Sequence, residues 1–569
     1  MFLVTTPLTL SEDPNQLFLG PWCRDEARTT TPSLVHEVSH PLVSVEEKKR
    51  CNDEVRDLVD RLMVDLFREL NSMHGTSHSF RFWKVVCQRW LLGFVDVIYQ
   101  RWHLIDRALR DYDITMAGGI ALQDDTIASR TSQEFNLQRE DHRWNTQIFT
   151  AILRFRGVPL VEVTTPSLHL EVRADPLSNQ KRTGIEKIIG VLSCRSLLFI
   201  ADSYLPRRKE LMLAVRLGSF PVRLHRNPIA AAPYSGSTRQ LIDLSASDVD
   251  SLENFLRKNL GRWIPMSWVE DFKRLADPSN ARAFPRNPRT IFTGNAHLSN
   301  DHFMIWAASK MEAGSRLVFS QHGGLYGEGE VRSRNEEHEL DVADNYVTWG
   351  WRDARFSNIV TAPSQIARHS QQRRRRADQL LVVMDTTFRY SRYSWETRAE
   401  RNLYLESSAM MVSGLPQPIR ENTMVRLHHD HDRYDDGHLP FFEKIPNIRL
   451  DDYSRPIALS IKKSRLVIVT TLSTTFIENI WSNVPTIIYA HPSIYEIRTE
   501  YRQVFDELAS VGVFHESHIA AGDFVSTVWN SVEAWWESDD VKRAVRHYGE
   551  IFAGFKTQQQ QSLTEILRP

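Results

Sequence analysis

The sequence predicts an α/β protein of two parallel-sheet domains facing a central cleft, with extra helices on the N-terminal domain. Three observations predict it. Short apolar runs alternate with helix-patterned stretches after about residue 190. The alternation occurs twice, on either side of residues 346–350. At 569 residues the chain is too long for a single core.

The elements follow in order. Residues 1–10 read as a first strand, because they lack the basic start of a signal peptide. Across 55–70 the apolar residues Val55, Leu58, Val59, Leu62, Leu66 and Leu70 fall at helical spacing. A second helix spans 82–102, with Trp83, Trp90, Phe94, Ile98 and Trp102 on roughly one side. Lys84, Arg89 and Asp96 within it argue against a membrane span, so its aromatic side reads as a packed helical layer; an acceptor-binding surface is the lesser alternative. Strands are expected at 196–201, 290–293 and 316–321, with helices at 207–217 and 301–311 and an extended piece at 220–224. Prolines mark loops at 226–239 and 276–290. The second half offers strands at 380–385, 424–428, 466–471 and 486–489. The domains are expected to be 1–345 and 346–569. Arg373–Arg376 reads as a solvated linker, with a phosphate patch as the alternative.

Composition narrows the function classes. Lysine and arginine total 70, aspartate and glutamate 71, and the net charge of −1 gives no overall pull toward nucleic acid. Cys23, Cys51, Cys87 and Cys194 lack paired spacing, which fits a reducing compartment and no zinc site. A cytoplasmic protein is expected, working at the inner face of a membrane if its acceptor is lipid-linked. No cofactor and no metal are expected.

Four segments carry candidate chemistry. In Thr470–Glu478 a strand runs into hydroxyl residues and a helix begins. The free N–H groups of such a start, with Ser473, Thr474 and Thr475, suit a phosphate; ordinary capping, with Glu478 inside the helix, is the alternative. Arg426 and His428 share one side of a strand end and would reach a phosphate or a sugar carboxylate. The following histidines and aspartates, 429–438, fit no standard zinc spacing. In Gln321-His322-Gly323-Gly324-Leu325-Tyr326-Gly327 a strand ends at a histidine and glycines let backbone approach a ligand; a plain glycine turn is the alternative. Gln321, Gly323, Gly324 and Tyr326 are the candidate sugar or acceptor loop, with His322 catalytic. Asp301 begins a helix and is either an early-helix acid or a catalytic carboxylate.

Together these segments resemble the transferases of bacterial O-antigen and exopolysaccharide clusters. The resemblance runs through Phe18-Leu19-Gly20-Pro21-Trp22-Cys23, Leu70-Asn71-Ser72-Met73-His74 with Phe82-Trp83, and the Gln321–Gly327 loop. It continues through Glu337-His338-Glu339, Thr348-Trp349-Gly350-Trp351, Ser473–Glu478 and Asn483-Val484-Pro485-Thr486. Leu325 departs from it, standing where the family's loop has a third glycine. More distantly the C-terminal half is similar to CMP-sugar-dependent enzymes of the GT-B fold, the bacterial sialyltransferases and β-Kdo transferases. The usual His-Pro pair is absent at His428, and His491-Pro492 stands elsewhere.

The resemblance implies a GT-B architecture of two Rossmann-like domains. It implies a CMP-activated Kdo-like sugar acid as donor and a surface glycan or lipid-linked glycan as acceptor. It also implies retention through a carboxylate nucleophile, for which Asp301 is the candidate. An inverting route with His322 as base stays open, as do a UDP- or GDP-sugar donor, a sugar epimerase and a non-catalytic binding protein.

Overall fold

The structure, a computed structural model, describes the chain except residues 25–35, 164–195, 220–231, 248, 279–283, 366–377, 429–438 and 569. The extended piece at 220–224, the arginine run at 373–376 and the histidine tract at 429–438 lie outside the described residues, as do parts of both proline loops.

Three parallel sheets form the frame. The first holds β1 (Phe2–Val4), β2 (Gln16–Phe18), β3 (His36–Glu37), β4 (Met116–Gly119) and β5 (Leu160–Glu162) in the order β3-β2-β1-β4-β5. The second holds β6 (Leu198–Ala201), β7 (Thr290–Thr293), β8 (Arg316–Ser320), β9 (Asn345–Thr348) and β10 (Ile359–Thr361), running in plain sequence order from one edge to the other. The third holds β11 (Gln379–Val383), β12 (Thr423–Arg426), β13 (Arg449–Leu450), β14 (Ser464–Val469), β15 (Thr486–Tyr489) and β16 (Phe514–His515), in the order β13-β12-β11-β14-β15-β16. The central strands of the second and third sheets are buried along nearly their whole length, as strands covered on both faces must be.

The parallel α/β architecture, with two sheets facing a cleft, is thus present. Two features differ from the expected domain division. Residues 1–345 contain two sheets rather than one sheet with a helical insertion. The second sheet also runs past residue 345: β9 pairs with β8 and β10 with β9, so the chain leaves that sheet only after Thr361. Strand apolarity marks each strand but not which sheet takes it. The chain later returns to the second sheet. Ile566 and Leu567 pack with Leu198, Val318 and Val347, and Arg316 Nη2 donates to the Ile566 carbonyl at 2.6 Å.

Two long helices brace the sheets. α1 (Val45–His74) starts at Ser44, whose hydroxyl accepts from Glu47 N, and stops at Gly75 in the left-handed region. α2 (Phe80–Asp111) packs against α1 and against α3 (His142–Phe155), α4 (Asp301–Glu312) and α5 (Arg334–Val342). The packed-layer reading of its aromatic side is the one realised: Trp83, Trp90, Phe94, Ile98 and Trp102 are all buried. Its charges are met by partners. Lys84 pairs with Asp341, and Arg89 Nη2 donates to the Leu298 carbonyl at 2.6 Å. Asp96 accepts from Arg334 at 2.6 and 2.8 Å and from Ser394 N at 3.1 Å. No helix among the described residues is long and apolar enough to cross a membrane.

The Asp96–Arg334 pair is fully buried and joins α2 to α5. Asp96→Ala would leave a buried guanidinium with only Glu337 as ionic partner. Urea unfolding should show a loss of about 3–5 kcal/mol; an unchanged midpoint would mean that the pair contributes nothing net.

Candidate active site

Two cavities lie at the carboxyl ends of the third sheet's strands, where ligands collect in open α/β sheets. The smaller, about 280 Å³, is lined by Arg426, His428, Ser473, Thr474 and Thr475 together with Asp385. Five residues nominated for the nucleotide therefore share one cavity. α6 (Thr474–Trp481) points its start into it; Ser473 is its N-cap residue but makes no side-chain capping hydrogen bond. Glu478 sits a turn further into the helix and does not line the cavity.

Arg426 is committed in part. Its Nη1 donates to Asp451 Oδ2 at 2.7 Å and to the Arg455 carbonyl at 3.2 Å, and its guanidinium lies over the Tyr453 ring. It can still present one edge to an anion as a member of a fixed cluster rather than as a lone cation.

Asp385 also lines the larger cavity, about 490 Å³, which reaches His322, Gly324 and Tyr326 on the facing sheet and Lys48 of α1. The glycine loop is pressed against the start of α6. Gly324 N donates to Thr474 Oγ1 at 3.1 Å, and a Cβ on Gly324 would lie 2.6 Å from the Ser473 carbonyl carbon. Leu325 has φ +73°, the left-handed region that glycine enters at least cost, so its departure from the family's third glycine carries local strain. Gln321 is buried structure beneath the loop. Its Oε1 accepts from Trp349 N and Trp351 Nε1 at 3.1 and 2.8 Å, and its Nε2 donates to the Gly323 carbonyl at 2.8 Å.

His322 is held from several sides. The Tyr326 hydroxyl lies 3.1 Å from its Nε2, Tyr204 stacks on its ring, and Glu339 Oε1 stands 3.8 Å from its Nδ1. The same Glu339 oxygen is 2.7 Å from His297 Nε2. Burial pushes the Glu339 carboxyl up to about 7. Burial also lowers the His322 pKa, so the ring is neutral at neutral pH and able to accept a proton.

Asp301 is not brought to this site. It is 4% exposed and lines neither cavity. Its carboxylate accepts from Ser132 N at 2.9 Å, from the Ser132 hydroxyl and from Ser267 Oγ at 2.5 Å. Asn300, one residue earlier, caps α4 through Phe303 N. Asp301 thus stands in the first turn of α4, as an early-helix acid, and its carboxylate also ties distant segments together. Its partners, 169 and 34 residues away, could not be read from its neighbours.

Sequence reasoning missed Asp385, Tyr393, Trp395, Glu396 and Lys48, all cavity-lining. Asp385 had a signal: it ends the run Leu380–Asp385, at the carboxyl end of what proves a central strand. Lys48 had none, because α1 brings it from the far end of the chain.

Comparison with known proteins gives a family model, described as LIC12162 family transferase, that matches residues 1–567. No curated protein matches. Among solved structures, the chain is similar to MurG of Acinetobacter baumannii at 10% identity, over 66% of this chain and 99% of that one, with a TM-score of 0.31. Anabaena Alr3699/HepE in complex with UDP and glucose is similar at 8% identity, over 63% and 96%, with a TM-score of 0.36. The spinosyn rhamnosyltransferase SpnG is similar at 11% identity, over 65% and 98%, with a TM-score of 0.32. Likeness at this level says nothing about the substrates of this chain.

Asp301→Ala leaves buried hydroxyl and N–H donors without their acceptor, each costing about 1–3 kcal/mol. The variant should melt earlier yet keep any nucleotide-induced stabilisation of the wild type. A variant of unchanged stability and no turnover would return Asp301 to the chemistry.

Proposed function

The chain belongs to the LIC12162 family of transferases, and on that premise we propose that it moves a glycosyl group from a nucleotide-sugar to a hydroxyl of a glycan or lipid-linked glycan. One observation carries the reading. Arg426, His428 and the Ser473–Thr475 helix start line one cavity, and Asp385 joins it to a second cavity bearing His322.

In this reading the donor phosphate sits against the N–H groups that begin α6, where the helix dipole and the Ser473 and Thr475 hydroxyls favour an anion. The sugar extends into the larger cavity. Neutral His322 takes the proton of the acceptor hydroxyl as that oxygen bonds the anomeric carbon. The bond from that carbon to phosphate oxygen breaks, and the nucleotide leaves with the electron pair toward the helix start. Glu339 and Tyr326 hold the imidazole and are positioning residues. This is the inverting route; the burial of Asp301 argues against retention through it. CMP is the nucleotide implied by the resemblance of Arg426, His428 and Ser473–Thr475 to CMP-sugar enzymes, with UDP and GDP as alternatives. A lipid-linked acceptor would bring the protein to the inner face of the membrane as a peripheral enzyme.

Melting curves with CMP, UDP and GDP test the nucleotide. At about 100 times its dissociation constant the bound nucleotide should add roughly 2.7 kcal/mol. Ser473→Ala with Thr475→Ala should weaken that shift, and transfer should survive excess EDTA. An undiminished shift in the double variant, or activity restored only by a divalent metal, would sink the assignment.

The pH dependence of kcat/KM tests the base. Protonation of His322 stops the reaction, so the rate should fall on the acid side, at a pH below the ordinary histidine value of 6.5 because burial depresses the ring. His322→Ala should lose turnover by about two or more orders of magnitude. A flat acid limb, or an active variant, would exclude the role.

A further inference from the structure

The wall of the larger cavity carries information about the sugar, on the footing that a sugar is transferred here. After β11 the chain does not turn back at once. Residues 385–396 cross to the N-terminal layers and are fastened there. Arg101 Nη1 donates to the Ser391 carbonyl at 2.8 Å, Arg392 Nε to Glu140 at 2.6 Å, and Ser394 N to Asp96 at 3.1 Å. These ties fix Tyr393 and Trp395, whose rings stack with centroids 4.9 Å apart and 13° between planes. Arg334 lies over the Trp395 ring at 5.0 Å and stiffens the pair. Both rings line the cavity.

The charges on the same wall are unbalanced. Glu330, Asp385, Glu396, Glu400 and Glu496 line the cavity with two cations, Lys48 and Arg401, while Lys49 pairs with Glu330 and burial pushes the Glu396 carboxyl up to about 7. Lys48 is already engaged: its Nζ stands 2.7 Å from Glu400, 3.7 Å from Glu496 and 2.7 Å from the Ser493 carbonyl it donates to. Arg401 Nε donates to Thr387 Oγ1 at 3.2 Å. A ligand carboxylate entering here meets a wall of carboxyl groups whose two lining cations are already engaged. A pyranose face, with its positively polarised C–H groups, or an ammonium meets aromatic faces and carboxylates.

We propose that this cavity holds the transferred ring as a neutral or amino-bearing pyranose, with Tyr393, backed by Trp395, as its stacking platform and Asp385 and Glu396 as its polar partners. This departs from the sugar acid that the resemblance to CMP-sugar enzymes implies, while leaving the nucleotide open. The ring hydroxyls and any amine donate to the two carboxylates, and no cation is required.

Saturation-transfer NMR on the full chain tests it, with methyl glucosaminide, methyl glucoside and the methyl glycoside of N-acetylneuraminic acid as probes. Melting shifts with CMP, UDP and GDP are read on the same samples. Transfer to the first two probes should appear at concentrations at least about tenfold below any for the acid. Tyr393→Ala should abolish it, Tyr393→Phe should keep it, and both should retain the nucleotide shift. Glu396→Gln should reduce the preference for glucosaminide over glucoside. Transfer chiefly to the sugar acid, transfer unchanged in Tyr393→Ala, or transfer to none of the three would overturn the proposal. Sugar signals without a shift from any nucleotide would instead strike the nucleotide reading and leave the sugar class supported.

Discussion

The site depends on one close approach between two sheets: Gly324 donates its N–H to Thr474 Oγ1, with no room for a side chain between the loop and the helix start. That contact sets the distance between the histidine after β8 and the hydroxyls after β14. It also obliges the loop to leave the helix through a left-handed Leu325. In the proposed reading, a phosphate at the start of α6 and the His322 ring would be positioned by the same few atoms.

The neighbouring joints reinforce this seam. Gly329 and Ile497 form an antiparallel bridge, Glu330 N donates to the Glu496 carbonyl at 2.9 Å, and Arg498 N to the Glu328 carbonyl at 2.8 Å. Around it sit buried carboxyls whose pKa values burial has raised, Glu328 to about 8 and Glu336 to about 7. The segments that carry the family resemblance are largely such joints. Asn71 accepts from Thr76 and Trp83 side chains at the corner between α1 and α2. Trp349 and Trp351 both donate to Gln321 under the glycine loop. In Glu337-His338-Glu339 each side chain goes a different way, to Asn52 and Arg334, to Gln88, and to His297 with His322 nearby.

What could be read from the sequence is what depends on near neighbours. The strands after residue 190 appear close to where their apolar runs stand, and the residues at their carboxyl ends meet in cavities because parallel strands deliver their ends to one side. The first sheet was hidden because its strands are two to four residues long, and only the run beginning with Phe2 was apolar enough to stand out. The partners of Asp301 were not legible because a helix-start acid looks the same whether it faces solvent, substrate or a distant serine. Arg426 kept its place but not its freedom, since Asp451 lies 25 residues on. The aromatic wall at 393–396 was missed because its meaning comes from anchors on α2 and near α3, far away in the chain.

The return of Ile566 and Leu567 to the second sheet has a consequence for how the molecule is assembled. The strands at 198–361 cannot finish their core until a piece made some two hundred residues later arrives, after the whole third sheet has been laid down. Such high contact order slows folding. The third sheet shares that dependence in part, since Leu381, Val467 and Phe476 lie in the same core as residues of the other two sheets. The central sheet, though earlier in the chain, is then among the last parts to close.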